Sequence, residues 1–132
     1  MGFRDLFSKD EPEADEFAIS ITDALGQLAK GGLFIDVRTR SEYERGHIPG
    51  AKLIAITDLR ESALEAIWGD DPLAMLDPET ASKTIVVVSS TPAHASAATH
   101  LLRDQGLNAY ALAGGLIAWV RDGQVLLPGP PR

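Results

Sequence analysis

The sequence predicts an α/β fold with three layers, in which a central, mainly parallel sheet of about five strands lies between helices. Short apolar runs recur along the 132-residue chain, and several are rich in β-branched residues. Helical patterns separate these runs, and glycine or proline stands where many of them end. Strands that alternate with helices pair in parallel, since each crossover returns the chain to the same sheet edge. In such sheets ligands bind beyond the carboxyl ends of the strands.

The composition indicates one globular domain: 45% of the residues are apolar and 23% are charged. A net charge of −7 argues against nucleic acid and anionic membranes as partners. No apolar run reaches the roughly 20 residues that a membrane span requires. The N-terminus has no apolar signal region, so we expect a cytoplasmic protein and a monomer.

The 132 residues contain no cysteine and three histidines. Disulfides, thiolate metal sites and cysteine nucleophiles are therefore excluded for this sequence. His47, His94 and His100 do not have the spacing of metal ligands. We expect neither a metal nor a cofactor.

Apolar runs predict strands at 33–37, 51–54, 85–88 and 109–112. Helices are predicted in the intervals, from caps, glycine stops and apolar spacing. The first contains Ala24, Leu25 and Leu28 after a Ser20 cap, and the second is a short helix at 42–44 capped by Thr39 or Ser41. A third runs from Thr57 or Asp58 towards Trp68, and a helical turn follows at 73–76. Another helix begins after His94 and ends at Gln105, and the last contains Leu116, Ile117, Trp119 and Val120.

Residues 17–123 are predicted to form the folded domain between two tails. Residues 1–16 carry six acidic and two basic side chains, which predicts a mobile N-terminal tail. The alternative is a short partner-docking helix with Phe3, Leu6 and Phe7 on one side. The proline-rich tail at 124–132 should be ordered only where it packs on the domain.

The stretch from Ser89 to His94 is the candidate functional loop. It follows the apolar run 85–88 and precedes an alanine-rich helical pattern. The order of strand, polar loop and helix N-terminus directs several backbone N–H groups into one concavity. Ser89, Ser90, Thr91, Pro92, Ala93 and His94 therefore form a candidate site for an anion or a nucleophile.

Two segments resemble the signatures of rhodanese-homology domains. FIDVRTRSEYERGHIPGAKLI, at 34–54, resembles the first signature, in which Asp-Val-Arg is followed by a short helix and Gly-His-Ile-Pro-Gly-Ala. IVVVSS and LLRDQGLNAYALAGGLIAW, at 85–90 and 101–119, resemble the second half, in which a strand ends in the active loop. The resemblance implies the rhodanese-like fold and a relationship to sulfurtransferases.

Each residue of the first signature also has a structural interpretation. Asp36 can accept backbone N–H bonds, and Arg38 can pair with Glu42 across the turn. His47 is expected to hydrogen-bond loop backbone rather than to act as an acid or base. Gly50, after a proline, supplies a tight turn.

In the second half, Gly114 and Gly115 would let the last helix begin close to the sheet. Active family members carry cysteine at the strand end, and counting along the chain places Ser89 there, or Ser90 after a one-residue slip. One explanation for Ser89 is an engineered cysteine-to-serine substitution, which would leave the rest of the loop with the family pattern. Pro92 and His94 also depart from the family pattern, which favours a native, non-catalytic loop.

The resemblance and the missing thiol together predict a non-catalytic rhodanese-like domain. It would be a binding or regulatory module that keeps a loop pocket for a small oxyanion or a partner protein. One alternative is a thiosulfate sulfurtransferase-family enzyme with residual or partner-assisted activity. Another is a weak hydrolase that uses Ser89 and His94. A third is an interaction domain that works through Phe3–Phe7 or the proline-rich tail.

Overall fold

A computed structural model describes residues 16–131, and within them five strands form a single sheet. The strands are β1 (Ala18–Ile19), β2 (Leu33–Asp36), β3 (Lys52–Leu53), β4 (Thr84–Val88) and β5 (Asn108–Leu112). Their order is β1-β5-β4-β2-β3, and every neighbouring pair is parallel. The predicted fold class is confirmed. β1 was not predicted, because two residues are too few to give a periodic pattern.

Seven α-helices and one 3₁₀ turn connect these strands in the described part of the chain. The helices are α1 (Ile21–Ala29), α2 (Arg40–Arg45), α3 (Ile56–Glu61), α4 (Ala63–Trp68), α5 (Pro72–Leu76), α6 (Pro92–Asp104) and α7 (Gly115–Arg121), and the 3₁₀ turn is Thr80–Ser82.

The two faces of the sheet hold two separate hydrophobic cores, because side chains alternate along each strand. Ile85 and Val87 of β4 pack with buried residues of α3, α4 and α6. Val86 and Val88 point to the other face and pack with Ala24 of α1 and with α7. Helices on both faces explain why β4 is apolar from Ile85 to Val88 rather than alternating.

The predicted long helix towards Trp68 is wrong, because it is two helices, α3 and α4, that meet at Ser62. Ser62 has an extended backbone, with φ −164° and ψ 105°, and its hydroxyl accepts a hydrogen bond from Glu65 N–H to cap α4. The predicted Thr57 or Asp58 cap is also wrong, since Ala55 occupies the N-cap of α3 without a side-chain hydrogen bond.

Three apolar residues of the predicted helices are exposed: Leu28 of α1 at 38%, and Ile117 and Val120 of α7 at 59% and 52%. Helix α7 has only seven residues, and two of them, Leu116 and Trp119, are its buried large side chains. Their i, i+3 spacing defines a stripe too narrow to include the remaining apolar residues.

The C-terminal segment packs along α2 within the described residues. His47 and Leu127 exchange backbone hydrogen bonds of 2.9 and 2.8 Å. Trp119 Nε1 donates to the Val125 carbonyl at 2.9 Å, and Gly129 N–H donates to the Glu44 carbonyl at 3.0 Å. The segment is therefore held to the domain at several points. The N-terminal docking helix predicted at Phe3, Leu6 and Phe7 lies outside the described residues.

Candidate functional site

The candidate loop lies at the carboxyl end of β4, in the middle of the sheet. Ser89 directly follows β4 and is 2% exposed, whereas Thr91 and His94 are exposed. Helix α6 begins at Pro92, so the connection between strand and helix consists of three residues, Ser89 to Thr91. The six-residue loop predicted from the sequence was too long, because Pro92, Ala93 and His94 form the first turn of α6. Proline is favourable at that first position, since its missing N–H has no helical partner there.

Gly115 packs closely against the backbone of this loop. Its φ is +63°, and a Cβ at this residue would lie 2.8 Å from the Ser89 carbonyl oxygen and 3.1 Å from the Ser90 carbonyl oxygen. The neighbouring Leu116 N–H donates to the Ser89 carbonyl at 3.2 Å. The start of α7 is thus in direct contact with the loop that follows β4.

Thr91 and His94 form a hydrogen bond at the exposed side of the loop. Thr91 occupies the N-cap of α6, but its hydroxyl makes no cap hydrogen bond to the helix backbone. Instead, Thr91 Oγ1 lies 3.2 Å from His94 Nδ1. Within residues 16–131 no hydrogen bond joins Ser89 to His94, so the predicted alternative of a serine–histidine dyad is not formed in this conformation.

Asp36 and Arg38 form a buried ion pair at the end of β2, the strand beside β4. Asp36 is fully buried, and its carboxylate accepts hydrogen bonds from the Arg38 backbone N–H and side chain at 2.9 to 3.2 Å. Arg38 also donates to the Gly46 carbonyl at 2.7 Å. The prediction that Asp36 accepts a backbone N–H is correct, whereas the predicted Arg38–Glu42 pairing is wrong. A buried carboxylate two residues away outcompetes an exposed partner, because burial strengthens their attraction.

Glu42 closes the capping box of α2 instead. Its carboxylate accepts hydrogen bonds from Thr39 N–H and Thr39 Oγ1, and Glu42 N–H donates to the same hydroxyl. The Thr39 backbone N–H, followed by the Thr39 hydroxyl, lowers the pKa of Glu42 below its ordinary value of 4.5. Both Glu42 and Thr39 therefore have a structural role away from the loop.

His47 is also held by backbone, but its ring contacts a carbonyl of helix α2 rather than the loop backbone that was predicted. Its Nδ1 lies 2.8 Å from the Tyr43 carbonyl oxygen, and its ring stacks on Tyr43 with 3.8 Å between ring centroids. Ala51 N–H donates to the Ile48 carbonyl at 3.0 Å, which closes the turn that contains Gly50. Tyr43, His47, Gly50, Ala51 and Leu127 line a second, separate cavity beside α2.

A cleft of about 600 Å³ adjoins the candidate loop, and no pattern in the sequence predicted it. Thr91, Pro92 and Ala93 form one side, and Gly114 lies across from them. The other lining residues are small or apolar and come from β1, α6, β5 and the residue after β5: Ala18, Ser96, Ala97, Ala111, Leu112 and Ala113. Alanines scattered along a sequence do not indicate a binding surface. The cleft could have been predicted only from the way β1 pairs with β5, which brings these residues together.

The predicted site residues thus separate into two groups. The loop residues Ser89–Ala93 lie close to Gly114 or Gly115 at the carboxyl ends of β4 and β5, whereas His94 contacts Thr91. Asp36, Arg38, Glu42, His47 and Gly50 stabilise the region around α2. The ends of β2 and β4 are joined by the hydrogen bond from Val37 N–H to the Val88 carbonyl, at 3.1 Å.

Comparison with known proteins identifies the family of the chain. Residues 20–122 match the Rhodanese-like domain family, and the chain belongs to it. The family predicted from the two signatures is therefore confirmed. No curated protein matches the chain.

Several solved structures share the fold. The chain is similar to the Alr3790 protein from Anabaena sp., with 30% identity over 83% of this chain and 81% of that chain, and a TM-score of 0.65. It is similar to the human single-domain sulfurtransferase TSTD1, with 26% identity over 81% and 97% of the two chains and a TM-score of 0.65. A rhodanese-related protein from Thermoplasma volcanium shows 25% identity over 83% and 96%, with a TM-score of 0.64. Among residues 16–131, no helix is both long and apolar enough to span a bilayer.

Proposed function

We propose that residues 17–123 form a non-catalytic rhodanese-like domain that acts as a binding or regulatory module. The observation that carries this proposal is the serine at the end of β4, in a 132-residue sequence that contains no cysteine. Ser89 is assigned to the position of the family's nucleophile because it directly follows β4 and contacts the start of α7 through its carbonyl.

The chemistry of sulfur transfer requires a thiolate. The nucleophile must be largely anionic near neutral pH, attack a sulfur atom and carry the transferred sulfur reversibly. A serine hydroxyl is a weak nucleophile without an activating base, and it cannot form a persulfide. In this chain the nearest histidine of the loop, His94, hydrogen-bonds to Thr91 instead. The loop therefore lacks both the reagent and an arranged base.

The geometry of the loop supports binding of a small oxyanion or of an anionic group on a partner protein. The first N–H groups of a helix are unpaired within the helix, and Thr91 does not cap them in α6. They open at the carboxyl edge of a parallel sheet, where ligands bind in this class of fold. The net charge of −7 opposes anion binding. Salt screens the charges that lie far from the loop, however, whereas oriented N–H groups contact a bound anion directly.

An activity assay tests the absence of catalysis. The unmodified chain should produce no thiocyanate from thiosulfate and cyanide. In Ser89→Cys, the introduced thiolate should attack the outer sulfur of thiosulfate, break its S–S bond and release sulfite, which leaves a persulfide. Ser90→Cys is the matched control, and mass spectrometry should show the added sulfur atom only in Ser89→Cys. Measurable turnover by the unmodified chain would contradict the proposal.

A titration with sulfate or thiosulfate tests the binding role. The amide signals of residues 89–94 should shift at millimolar anion concentrations. Pro92→Ala should bind the anion more tightly, because it adds an N–H at the first position of α6. Pro72→Ala is the matched control, since Pro72 occupies the corresponding position in α5. Unshifted signals in both the parent chain and Pro92→Ala would eliminate the oxyanion and leave a protein partner as the ligand.

A further inference from the structure

The imidazole of His47 has one nitrogen that the fold uses and one that it does not. Nδ1 lies 2.8 Å from the Tyr43 carbonyl oxygen. Because a carbonyl oxygen only accepts hydrogen bonds, Nδ1 carries the hydrogen, and Nε2 is the unprotonated nitrogen of the neutral ring. Nε2 makes no hydrogen bond to any part of the chain that the structure describes. It is therefore an unused acceptor.

This acceptor opens into the cavity beside α2. His47 is only 7% exposed. Among the described residues no inaccessible side-chain nitrogen or oxygen lacks a hydrogen-bond partner, so an unpaired Nε2 lies at an accessible surface. His47 lines the cavity of about 950 Å³, and Tyr43 covers one face of its ring. The accessible edge of the imidazole therefore faces the cavity.

We propose that this cavity binds a small neutral molecule that combines an apolar ring with a hydroxyl group. The hydroxyl donates a hydrogen bond to His47 Nε2, and the ring packs against the apolar walls. Lys52, which lines the cavity, is the first residue of β3, so the cavity lies towards the amino ends of the strands. The candidate loop lies at their carboxyl ends, and this site is independent of the proposed function.

The polar groups of the cavity favour a hydrogen-bond donor as the ligand. A proline has a carbonyl oxygen but no N–H, so it adds no backbone donor to a wall. Tyr43 also lines the cavity, and its hydroxyl donates to the Ala51 carbonyl at 2.6 Å. Four prolines of the described chain line the cavity: Pro49, Pro128, Pro130 and Pro131.

The charged groups of the lining are paired with each other. Lys52 and Asp70 are the charged residues that line the cavity within 16–131, and the Lys52 ammonium lies 3.3 Å from the Asp70 carboxylate. Lys52 also donates to the Ile67 carbonyl. The pair presents no net charge to the cavity, so the lining favours a neutral ligand over an ion.

The walls are apolar and held in place. Leu127 exchanges backbone hydrogen bonds with His47, and Gly129 N–H donates to the Glu44 carbonyl. The ring of each proline fixes its φ, so these walls lose little conformational entropy when a ligand binds. Apolar walls with a few polar groups that orient the ligand are typical of small-molecule sites.

Nitrogen NMR spectra of the histidine side chains test the site, with phenol as the probe. At mildly alkaline pH, His47 should show a protonated Nδ1 and an unprotonated Nε2. Phenol at millimolar concentrations should shift the Nε2 signal of His47 and leave His94 and His100 unchanged. Anisole, which has the same ring without a donor, should leave the His47 Nε2 signal in place.

A pair of variants links the shift to the cavity. Leu127→Glu should weaken phenol binding about tenfold, because it places a carboxylate in the apolar wall and leaves the backbone bonds to His47 intact. Val125→Glu is the matched control, since Val125 is 62% exposed and belongs to the same segment but not to the lining. Val125→Glu should bind phenol as the parent chain does.

Four results would overturn the proposal. They are a His47 ring protonated on Nε2, an Nε2 signal that phenol does not move, an equal shift with anisole, and equal weakening by Leu127→Glu and Val125→Glu. Equal shifts of all three histidines would likewise show that phenol binds without preference for the cavity, and would overturn it too.

Discussion

Replacing Gly115 with alanine is expected to destabilise the domain by displacing the candidate loop. The added Cβ would lie 2.8 Å from the Ser89 carbonyl oxygen, closer than real Cβ contacts, and the atom it meets is backbone. A side-chain rotation cannot relieve this contact. Either α7 or the segment Ser89–Ser90 must move, and the hydrogen bond from Leu116 N–H to Ser89 must lengthen.

The size of the effect follows from two contributions. The left-handed backbone at φ +63° costs an alanine about 1–2 kcal/mol. The steric contact adds about 1–3 kcal/mol, as for other overpacked sites. Gly106→Ala is the matched control, because Gly106 has φ +86° and no atom within 4 Å of a new Cβ. Gly106→Ala should therefore lose only the first contribution, and the difference between the variants measures the contact.

Urea denaturation provides the measurement. A loss of about 3 kcal/mol lowers the unfolding midpoint by roughly 1–3 M for a typical dependence on urea. A typical domain has about 5–15 kcal/mol of stability, so the Gly115→Ala chain should still fold. Its amide signals at Ser89 and Ser90 should shift, whereas those of Gly106→Ala should not. Equal destabilisation of the two variants, with unshifted loop signals, would refute the contact between α7 and the loop.

Three further substitutions test the region around α2. Tyr43→Phe removes a buried hydroxyl that donates at 2.6 Å to a backbone carbonyl, and should cost about 1–3 kcal/mol in urea unfolding, whereas Tyr110→Phe should be nearly neutral. Asp36→Asn leaves Arg38 without its buried anion and should cost about 3–5 kcal/mol; a loss below 1 kcal/mol would show that water screens the pair. The folded state lowers the pKa of Glu42, so its carboxylate stabilises the fold above pH 4.5 and this contribution disappears as the pH falls through the lowered pKa. Glu42→Gln should therefore be less stable than the parent at pH 7 and equally stable in acid; a difference that persists in acid would contradict this origin.

The sequence predicted four of the five described strands and the family, because both depend on local patterns. Apolar runs mark β2 and β4, and the turn at Gly50 depends on residues adjacent in the chain. The predicted Arg38–Glu42 pair was wrong because pairing depends on burial, which the spacing of charges does not reveal. Asp36 is fully buried, and a buried carboxylate without a cation costs more free energy than an exposed one. Arg38 therefore pairs with Asp36 rather than with Glu42.

The candidate site was only partly predictable. Ser89, Thr91 and His94 could be identified from the order of strand, polar loop and helix. The boundary between the loop and α6 could not be predicted, because proline is common both in loops and at the first position of a helix. The cleft depends on the pairing of Ala18 with Ala111, residues 93 positions apart in the chain, and no local pattern carries such information.

The contacts that shape the loop do not involve the side chain of Ser89. Gly115 contacts the backbone carbonyl of Ser89, and Leu116 N–H donates to that same carbonyl. The ion pair of Asp36 and Arg38 stabilises the adjacent end of β2 through its own hydrogen bonds. A thiol and a hydroxyl at this position would therefore leave the backbone geometry alike, because none of these interactions uses the atom that differs between them. This independence explains how a chain can keep the loop, the sheet edge and the adjoining cleft without the group that sulfur transfer requires. It also makes Ser89→Cys a direct test, since the substitution changes one side-chain atom and leaves in place the backbone carbonyl that Gly115 and Leu116 contact.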